Sequence, residues 1–375
     1  MKFTVSSKDL CSRLQTISRV INSKNSLTIL ENILFTLRGS QLELKASDNE
    51  NTVTTLVDAT ETETDGMFAA SAKTLIEALK EIPDQPITFE VNDETFTIEV
   101  KYLNGHYNFI GIDGTPFPQM DETEPYTAKL EISNKVVTNG MASTLFAIGE
   151  DEIRPIMNGI HFDVTPGNLV MVTSDGHKLV RHSFRNVATD QTSAFVLPKK
   201  PANFIKGVAP KEEGVTTIEF NEKKAKIVSG DYCVTCSLIE GRYPNYNSVI
   251  PQDNPFVATV DHQAFISAVR RVLVFASESN GLVCLHFENN VLVLTANDIE
   301  FSTNAEEKIM CDYNGTPISI GFSGPFLLDV LNNLKGESVC VKLADPSRAG
   351  VITPDVQEED EEVLMILMPL MLNDC

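Results

Sequence analysis

The chain has 375 residues, enough for two or three domains with hydrophobic cores of their own. Its formal net charge of −22 repels phosphate polymers at long range and argues against a protein that simply coats DNA. The start of the chain has no apolar segment typical of a secretory signal, and the apolar run Val363 to Leu372 is about half of the roughly 20 residues needed to cross a bilayer. We therefore expect a cytoplasmic protein with no membrane partner.

In chain order, the predicted elements repeat three times. Each repeat begins with an amphipathic helix, whose apolar stripes are Leu10, Leu14, Ile17 and Ile21; Val137, Met141, Leu145 and Ile148; and Phe265, Val269, Val272 and Ala276. Each continues with two alternating strands joined by a turn, at residues 31–50, 157–177 and 280–300. A second helix follows at residues 71–82, 198–208 and 324–335.

The repeats have matching positions. Asp48, Asp175 and Asp298 close the three predicted hairpins and lie 127 and 123 residues apart. Proline-containing polar segments lie near residues 126 and 253. We predict an α+β fold of three repeated domains, at residues 1–126, 127–253 and 254–375.

The charges are segregated along the chain. Residues 48–66 contain six acidic residues and no basic one, whereas several helical segments carry lysine or arginine. Basic helix faces are common on mixed surfaces, but this pattern recurs in more than one repeat. If the helices share one surface and the sheets another, a basic concave face lies inside an acidic shell, which could surround a polyanion and slide along it.

Patterns typical of enzymes are missing: no glycine-rich phosphate loop, GxSxG or HExxH is present. One cluster could bind a metal and support a hydrolase, namely His161, Asp163, Asp175 and His177. The composition of "SDGHK" also suits a plain turn. Cys233 and Cys236 form a lone CxxC within a strand-like segment, without the second pair that a zinc site needs. We expect no catalytic residue, cofactor or metal.

Several phrases are similar to those of one family. "TSDGHKL" (173–179), "EGRYPNYNSVIP" (240–251), "LTANDIE" (294–300), "SLTILENILF" (26–35), the opening "MKFTV" and the terminal "MP" all resemble the bacterial β sliding clamp, the processivity subunit of DNA polymerase III. The resemblance covers the whole chain in order.

This resemblance implies a fold and a function. Two chains would form a head-to-tail closed ring, with helices lining the inner face and antiparallel sheets outside. The ring would encircle double-stranded DNA without reading its sequence, after loading by an ATP-dependent clamp loader. It would tether DNA polymerase III, other polymerases, and mismatch-repair and ligase-type proteins through short linear peptides, with no catalytic activity of its own.

The resemblance also implies a partner-peptide pocket between the second and third domains. It comprises Met157, Ser174, Gly176, His177, Lys178, Leu179, Pro244, Ser248, Val249, Ile366, Leu367, Met368, Pro369, Leu370 and Met371. Methionine-rich walls suit a site that accepts many related peptides. Composition alone favours a plain core strand for the tail, and the two roles can coexist on alternating faces. The chain departs from the family in having Met371 where a basic residue is frequent, and in its extension Asn373, Asp374 and Cys375.

Two further sets of residues follow from the resemblance. The DNA-contacting candidates are Lys24, Lys73, Arg154, Lys199 and Lys200, with Asp151 at a neighbouring position that is neutral in the family. At the dimer interface, Tyr107 and Phe109 would meet Val274 and Phe275 of the second chain. The alternative hypothesis is a scaffold of repeated domains that binds peptides and never meets DNA.

Overall fold

The structure is a computed structural model that describes residues 1–22, 27–120, 124–210, 213–298 and 300–371. It divides into two compact units. Unit 1 comprises Met1–Val137 with Lys200–Leu238, and unit 2 comprises Thr138–Lys199 with Ile239–Cys375. The middle third of the chain contributes to both units, and the predicted domain boundaries near 126 and 253 stay a prediction.

The predicted threefold repeat is confirmed in the order of the elements. Each third of the chain contains one strand, a helix, four strands, a second helix and three strands, and the first third adds a two-residue strand.

The first third contains β1 (Lys2–Ser6), α1 (Ser7–Ile17), β2 (Asn32–Arg38), β3 (Gln41–Ser47), β4 (Asn51–Asp58), β5 (Gly66–Ser71), α2 (Ala72–Lys80), β6 (Pro86–Val91), β7 (Thr97–Tyr102), β8 (Gly105–Ile110) and β9 (Ile112–Asp113). The second contains β10 (Ala128–Ser133), α3 (Asn134–Thr144), β11 (Gly159–Thr165), β12 (Asn168–Ser174), β13 (Lys178–Arg185), β14 (Ser193–Pro198), α4 (Lys199–Val208), β15 (Val215–Phe220), β16 (Lys224–Ser229) and β17 (Tyr232–Ser237).

The last third contains β18 (Phe256–Asp261), α5 (His262–Leu273), β19 (Leu282–Glu288), β20 (Val291–Asp298), β21 (Thr303–Asp312), β22 (Ile318–Ser323), α6 (Gly324–Asn333), β23 (Ser338–Leu343), β24 (Gly350–Pro354) and β25 (Glu361–Leu367). Short 3-10 turns occur at Ser18–Val20, Thr28–Glu31, Leu145–Ala147, Pro155–Met157 and Tyr246–Val249.

The three predicted amphipathic helices form, but each ends earlier than its apolar stripe. In α1 the Ser6 side chain accepts the Asp9 N–H, an N-cap bond that starts the helix, and Leu14 is fully buried. The chain then turns into the 3-10 segment Ser18–Val20, so Ile21 lies beyond the helix. Leu145, Ile148 and Ala276 likewise follow the ends of α3 and α5. Stripe periodicity predicts the buried face better than the last turn.

Antiparallel sheets connect successive thirds of the chain. Unit 1 contains a four-stranded sheet, β1-β6-β7-β8, and a nine-stranded sheet, β10-β15-β16-β17-β4-β3-β2-β5-β9. Unit 2 contains the twelve-stranded sheet β14-β11-β12-β13-β25-β24-β23-β18-β21-β20-β19-β22. In both units the last strand of one third pairs with a strand of the preceding third: β17 with β4, and β25 with β13.

Each unit has an apolar core made from the inward faces of its sheets and helices. In unit 1 the rings of Phe3 and Phe89 stack 4.9 Å apart, and those of Phe35 and Phe68 stack 4.7 Å apart. In unit 2 the main cluster joins residues of α5, α6 and the sheet. No helix within the described ranges is long and apolar enough to cross a membrane.

The helices carry a charge opposite to that of the chain. Together α1 to α6 contain ten Lys and Arg residues and three Asp and Glu residues, a formal charge of +7. The whole chain has a formal charge of −22. The predicted segregation of charge between helices and the rest of the chain is therefore present in the elements themselves.

Candidate functional site

The site in unit 2 is built on the tight turn between β12 and β13. Gly176 has φ +92°, a conformation that glycine adopts without strain. The Asp175 Oδ1 atom accepts the N–H groups of His177 and Lys178, both at 2.8 Å, and the Ser174 hydroxyl donates to the Lys178 carbonyl at 2.9 Å. These local bonds fix the turn as the sequence composition predicts.

The Lys178 ammonium lies in a buried ionic contact. Its Nζ is 2.7 Å from Asp175 Oδ2, 3.6 Å from Asp329 Oδ2 and 4.2 Å from the centre of the Phe326 ring. Burial raises the pKa of the Asp175 carboxyl, but hydrogen bonds from the Lys178 side chain and from the backbone N–H groups outweigh it and set the pKa below its ordinary value. Lys178 therefore belongs to the framework beneath the surface.

The exposed member of the turn is His177. Its ring stacks on Phe326 of α6, with ring centres 5.6 Å apart, and its carbonyl accepts the Met368 N–H at 2.9 Å. The sequence interpretation did not include Phe326 or Asp329. Both residues lie in the second helical segment predicted for the last repeat, residues 324–335, which the sequence did indicate.

The C-terminal tail is a core strand followed by an exposed segment. Met365, Ile366 and Leu367 of β25 are at most 3% exposed, as a plain core strand would be. Beyond the strand, Met368 is 47% exposed and Met371 is 81% exposed. The tail therefore combines a buried strand with a more exposed segment, and its part in a peptide pocket stays a prediction. Leu372 and the extension Asn373, Asp374 and Cys375 lie outside the described residues.

The loop before the last third of the chain packs beside the tail. Its Tyr246 and Ile250 form an apolar cluster with Leu179 and Ile366. The cluster also contains Val172, Ala349 and Val351. The structure thus brings the turn, the tail and the loop together in unit 2, with buried Leu179 and Ile366 as a floor.

The remaining predicted residues are at the edges of this arrangement. Pro244, Ser248 and Val249 are exposed on the loop, and Val249 is 57% exposed. Pro369 and Leu370 are half-buried, and the Leu370 N–H donates to the Gly321 carbonyl at 2.8 Å. Met157 is buried, and its carbonyl accepts the Gly149 N–H at 3.1 Å.

The metal-site alternative finds no support in the structure. The His161 ring lies flat against Tyr243 at 4.4 Å, and Asp163 accepts the Tyr246 hydroxyl at 2.8 Å. Asp175 is occupied by Lys178. Within the ranges that the structure describes, no three His, Cys, Asp or Glu side chains could hold a metal ion. Cys233 and Cys236 are three residues apart in β17, so they point to opposite faces of the sheet.

The DNA-contacting candidates differ in their availability. Lys73 is exposed on α2 and makes no ion pair with any described residue. Arg154 Nε is 2.9 Å from Asp151 Oδ2, and Lys199 forms an ion pair with Glu150.

Lys200 is the most engaged of the candidates within the described ranges. Its Nζ is 2.6 Å from the Val20 carbonyl and 2.6 Å from Asn22 Oδ1, and it forms an ion pair with Asp48. Lys24 lies outside the described residues.

The interface candidates lie on separate units. Tyr107 and Phe109 are half-buried on β8, an edge strand that pairs with β7 in the four-stranded sheet. Val274 and Phe275 follow α5 and are 78% and 41% exposed. The sequence interpretation did not include Ile110, which ends β8 and is 78% exposed. Apolar exposure of this kind at a strand edge is typical of an interface.

Comparison with known proteins matches nearly the whole chain to one family. The family models are described as the N-terminal, central and C-terminal domains of the DNA polymerase III beta subunit, and they match residues 1–121, 131–245 and 247–370.

Individual relatives match over their full length. The beta sliding clamp of Pseudomonas aeruginosa is 24% identical over 99% of this chain and 100% of its own length, and that of Caulobacter vibrioides is 27% identical over the same shares. Among solved structures, a DnaN sliding clamp from P. aeruginosa bound to griselimycin has a TM-score of 0.93 at 25% identity. It covers 99% of this chain and 100% of the solved one.

Proposed function

The chain belongs to the DNA polymerase III beta subunit family, the beta sliding clamps, and from this premise we propose that two copies close head to tail around duplex DNA. Its function is that of a processivity clamp, which tethers the replicative polymerase to its template. The family is non-enzymatic. Its partners are DNA, polymerases, a clamp loader, and repair proteins that dock by short peptides. It acts where the bacterial chromosome lies, in the cytoplasm.

The single observation that carries this proposal is an unfinished pattern of strand pairing. In the repeat, β4, β13 and β21 are equivalent strands, and so are β17, β25 and β8. Two of the three pairings occur within the chain, β4 with β17 and β13 with β25. The third would be β21 with β8. The strand β8 is an edge strand, and β21 pairs along residues 303–310 with β20 on one side only.

Pairing between two chains would complete this pattern. If β8 of one copy pairs with β21 of a second copy, the exchange occurs twice and closes a ring without leaving either edge open. The apolar contact would come from Tyr107 and Phe109 on β8 and from Val274 and Phe275 directly after α5. Each closed joint would then repeat the sheet geometry found within the chain.

The distribution of charge supports a sliding contact with DNA. A helix charge of +7 inside a chain of −22 attracts phosphates to one set of elements and repels them from the rest. Arg154 and Lys199 are paired with carboxylates, which weakens their hold on a phosphate. Among the candidates that the structure describes, Lys73 is the most available. Because such contacts are weak, closure of the ring would be what retains the protein on DNA.

The partner-peptide site is proposed on the surface formed by the turn, the tail and the loop of unit 2. His177 and the segment from Met368 to Met371 would contact the peptide, over the floor of Leu179 and Ile366. Flexible thioethers let one surface accept related peptides. Met371, 81% exposed, makes this rim apolar where the family frequently has a cation.

Primer extension tests the function. With a bacterial polymerase III core, a clamp loader and ATP on a primed circular template, adding the chain should lengthen the products of a single binding event severalfold. Omission of the loader serves as the control. Product length that does not respond to the chain would contradict the proposal. The scaffold alternative has no support from the family matches, which all describe the same replication subunit.

A further inference from the structure

A cleft lies in unit 1, on a different sheet from the proposed peptide site of unit 2. It has a volume of about 750 Å³ and lies on the nine-stranded sheet, between the strands β3, β4, β16 and β17 and the segment 118–120. Three cations line it, Arg38, Lys45 and Lys226. Such a volume is within the range of ligand-binding pockets, roughly 300–1,000 Å³. A basic cleft is unexpected outside the helices of so acidic a chain.

Because the elements of the chain repeat, this cleft occupies the position in unit 1 that corresponds to the apolar floor in unit 2. Ser47 pairs with Thr52 across β3 and β4 as Ser174 pairs with Leu179 across β12 and β13. Starting from Thr52 and from Leu179, successive cross-strand partners form a row across each sheet. The rows are Thr52, Thr235 and Lys226 in unit 1, and Leu179, Ile366 and Val351 in unit 2.

A fourth position extends the correspondence. Lys45 pairs with Thr54, two residues beyond Thr52, and Val172 pairs with Arg181, two residues beyond Leu179. The four apolar residues of unit 2 are thus replaced by two lysines and two threonines in unit 1. An aliphatic floor binds aliphatic side chains, whereas ammonium and hydroxyl groups donate hydrogen bonds to carboxylates. The same architecture therefore presents opposite chemistry in the two units.

The cations of the cleft are not fully compensated. Two acidic residues also line it, but Asp231 is 2.8 Å from Arg13 and Glu43 is 3.5 Å from Lys45. Arg38 and Lys226 make no ion pair with any part of the chain that the structure describes. These two cations are thus without an ion pair among the described residues, although Glu219 is the register partner of Lys226.

The spacing of the lysines favours an extended ligand over a single small anion. Lys45 and Lys226 lie on β3 and β16, which are three strand spacings apart, or about 14 Å between backbones. The Lys45 ammonium also donates a hydrogen bond to Gln119 Oε1 at 3.2 Å, which holds it on the β3 side of the cleft. An extended chain, rising about 3.3 Å per residue, would bring carboxylates four or five residues apart to the two lysines.

We propose that this cleft binds an acidic, extended peptide segment of a partner protein. Carboxylates of the segment contact Lys45 and Lys226, and Thr52 and Thr235 lie between them in the row. The Thr52 hydroxyl is hydrogen-bonded to that of Ser47 at 2.9 Å. The inference rests on the proposed function in one respect, that the equivalent cleft of unit 2 is also a peptide site. Each chain then offers two docking sites of different specificity, one apolar and one for acidic sequences.

Fluorescence polarisation tests the proposal on the full chain. The probe is a labelled ten-residue peptide of alternating Glu and Thr, and its matched control carries Gln for Glu. Lys226→Glu, and Lys226→Gln as a variant with no new charge, should weaken binding at least tenfold. Lys223→Glu, on the turn before β16 and outside the cleft, should bind as the unmodified chain does.

Three results would overturn the proposal: equal binding to the Lys226 and Lys223 variants, equal binding of the Gln peptide, or displacement by millimolar inorganic phosphate. The last would assign the cleft to a small anion. A Met368→Ala, Pro369→Ala double variant should leave binding of the acidic peptide unchanged. Failure of this inference and failure of the apolar peptide site are therefore distinguishable.

Discussion

Asp175 stabilises both the turn and the buried Lys178 of the proposed apolar peptide site. Its carboxylate accepts two backbone N–H groups and lies 2.7 Å from Lys178 Nζ. Asparagine at this position would retain one acceptor and lose the charge. We expect Asp175→Asn to lower the free energy of unfolding by about 1–3 kcal/mol at pH 7, since Lys178 would be left buried without its closest counter-ion.

Denaturation with urea at several pH values measures this effect. The folded-state pKa of Asp175 is depressed, so its contribution is present above the unfolded value near 3.9 and is lost as pH falls through the folded value. The difference between the two proteins should therefore narrow below about pH 4. Exposed Asp190→Asn is the control and should have little effect at any pH. A difference that stays constant down to pH 2 would contradict the ionic role.

His182 should make the protein less stable in mild acid. It is buried, with Nδ1 2.7 Å from the Ser143 hydroxyl and Nε2 3.3 Å from Glu361 Oε2. Burial lowers its pKa to about 4, against the opposing effect of Glu361. The unfolded chain, with a histidine pKa near 6.5, binds more protons between these values. Stability is thus present above about pH 6.5 and is lost as pH falls towards about 4.

The His182→Gln variant should lack this part of the pH dependence, whatever its stability at pH 7. The measurement is the urea midpoint at intervals between pH 7 and pH 4. His286→Gln is the matched control, because His286 is half-exposed and hydrogen-bonded to Ser319. Parallel curves for the His182 variant and the unmodified chain would show that His182 does not titrate in this window.

At the level of elements, we expect β25 to contribute to stability and the segment after it to contribute to peptide binding. Leu367 is fully buried in the main cluster of unit 2, whereas Met368 is 47% exposed. Leu367→Ala should lower the free energy of unfolding by about 2–5 kcal/mol through the cavity it leaves. Met368→Ala should change it by less than about 0.5 kcal/mol but weaken binding of polymerase-derived peptides severalfold. Unchanged peptide binding in Met368→Ala would remove the exposed tail from the site.

Local patterns predict the elements but not the contacts between distant ones. Alternation at Leu42 and Leu44 predicts the first hairpin, and the stripe from Phe265 to Val272 predicts α5, because both depend on neighbouring residues. The pairings of β17 with β4 and β25 with β13 join segments more than 170 residues apart, so no local pattern specifies them.

Some partners of the charged residues are equally non-local. Lys200 has the sequence character of a DNA-contacting lysine, yet it is held by Asp48 and the Val20 carbonyl. The resemblance to the family points to the turn, the loop and the tail, but not to Phe326 beneath His177. Side chains that support a site from a separate element leave no signal in the motif that forms its surface.

At the scale of the whole molecule, the edges β8 and β21 predict association of two chains. Light scattering should give a mass of twice the 41.3 kDa chain. Val274→Asp with Phe275→Asp should reduce it to one chain, because the new charges would be buried at the interface without partners. Ile153→Asp is the control, since Ile153 is 89% exposed elsewhere and should leave the mass at two chains. A mass of one chain for the unmodified protein would contradict the proposed pairing of β8 with β21 of a second chain.

The central claim is that DNA is held by enclosure rather than by adhesion. In the most direct measurement, the labelled chain is loaded onto nicked circular DNA with a clamp loader and ATP. The circle is then cut, and the protein that co-elutes with DNA is measured before and after cutting. Enclosure predicts retention on the circle and release within minutes of cutting, through the free ends. Protein that remains on the linear DNA to the same extent would show that binding contacts hold it, and would contradict the account.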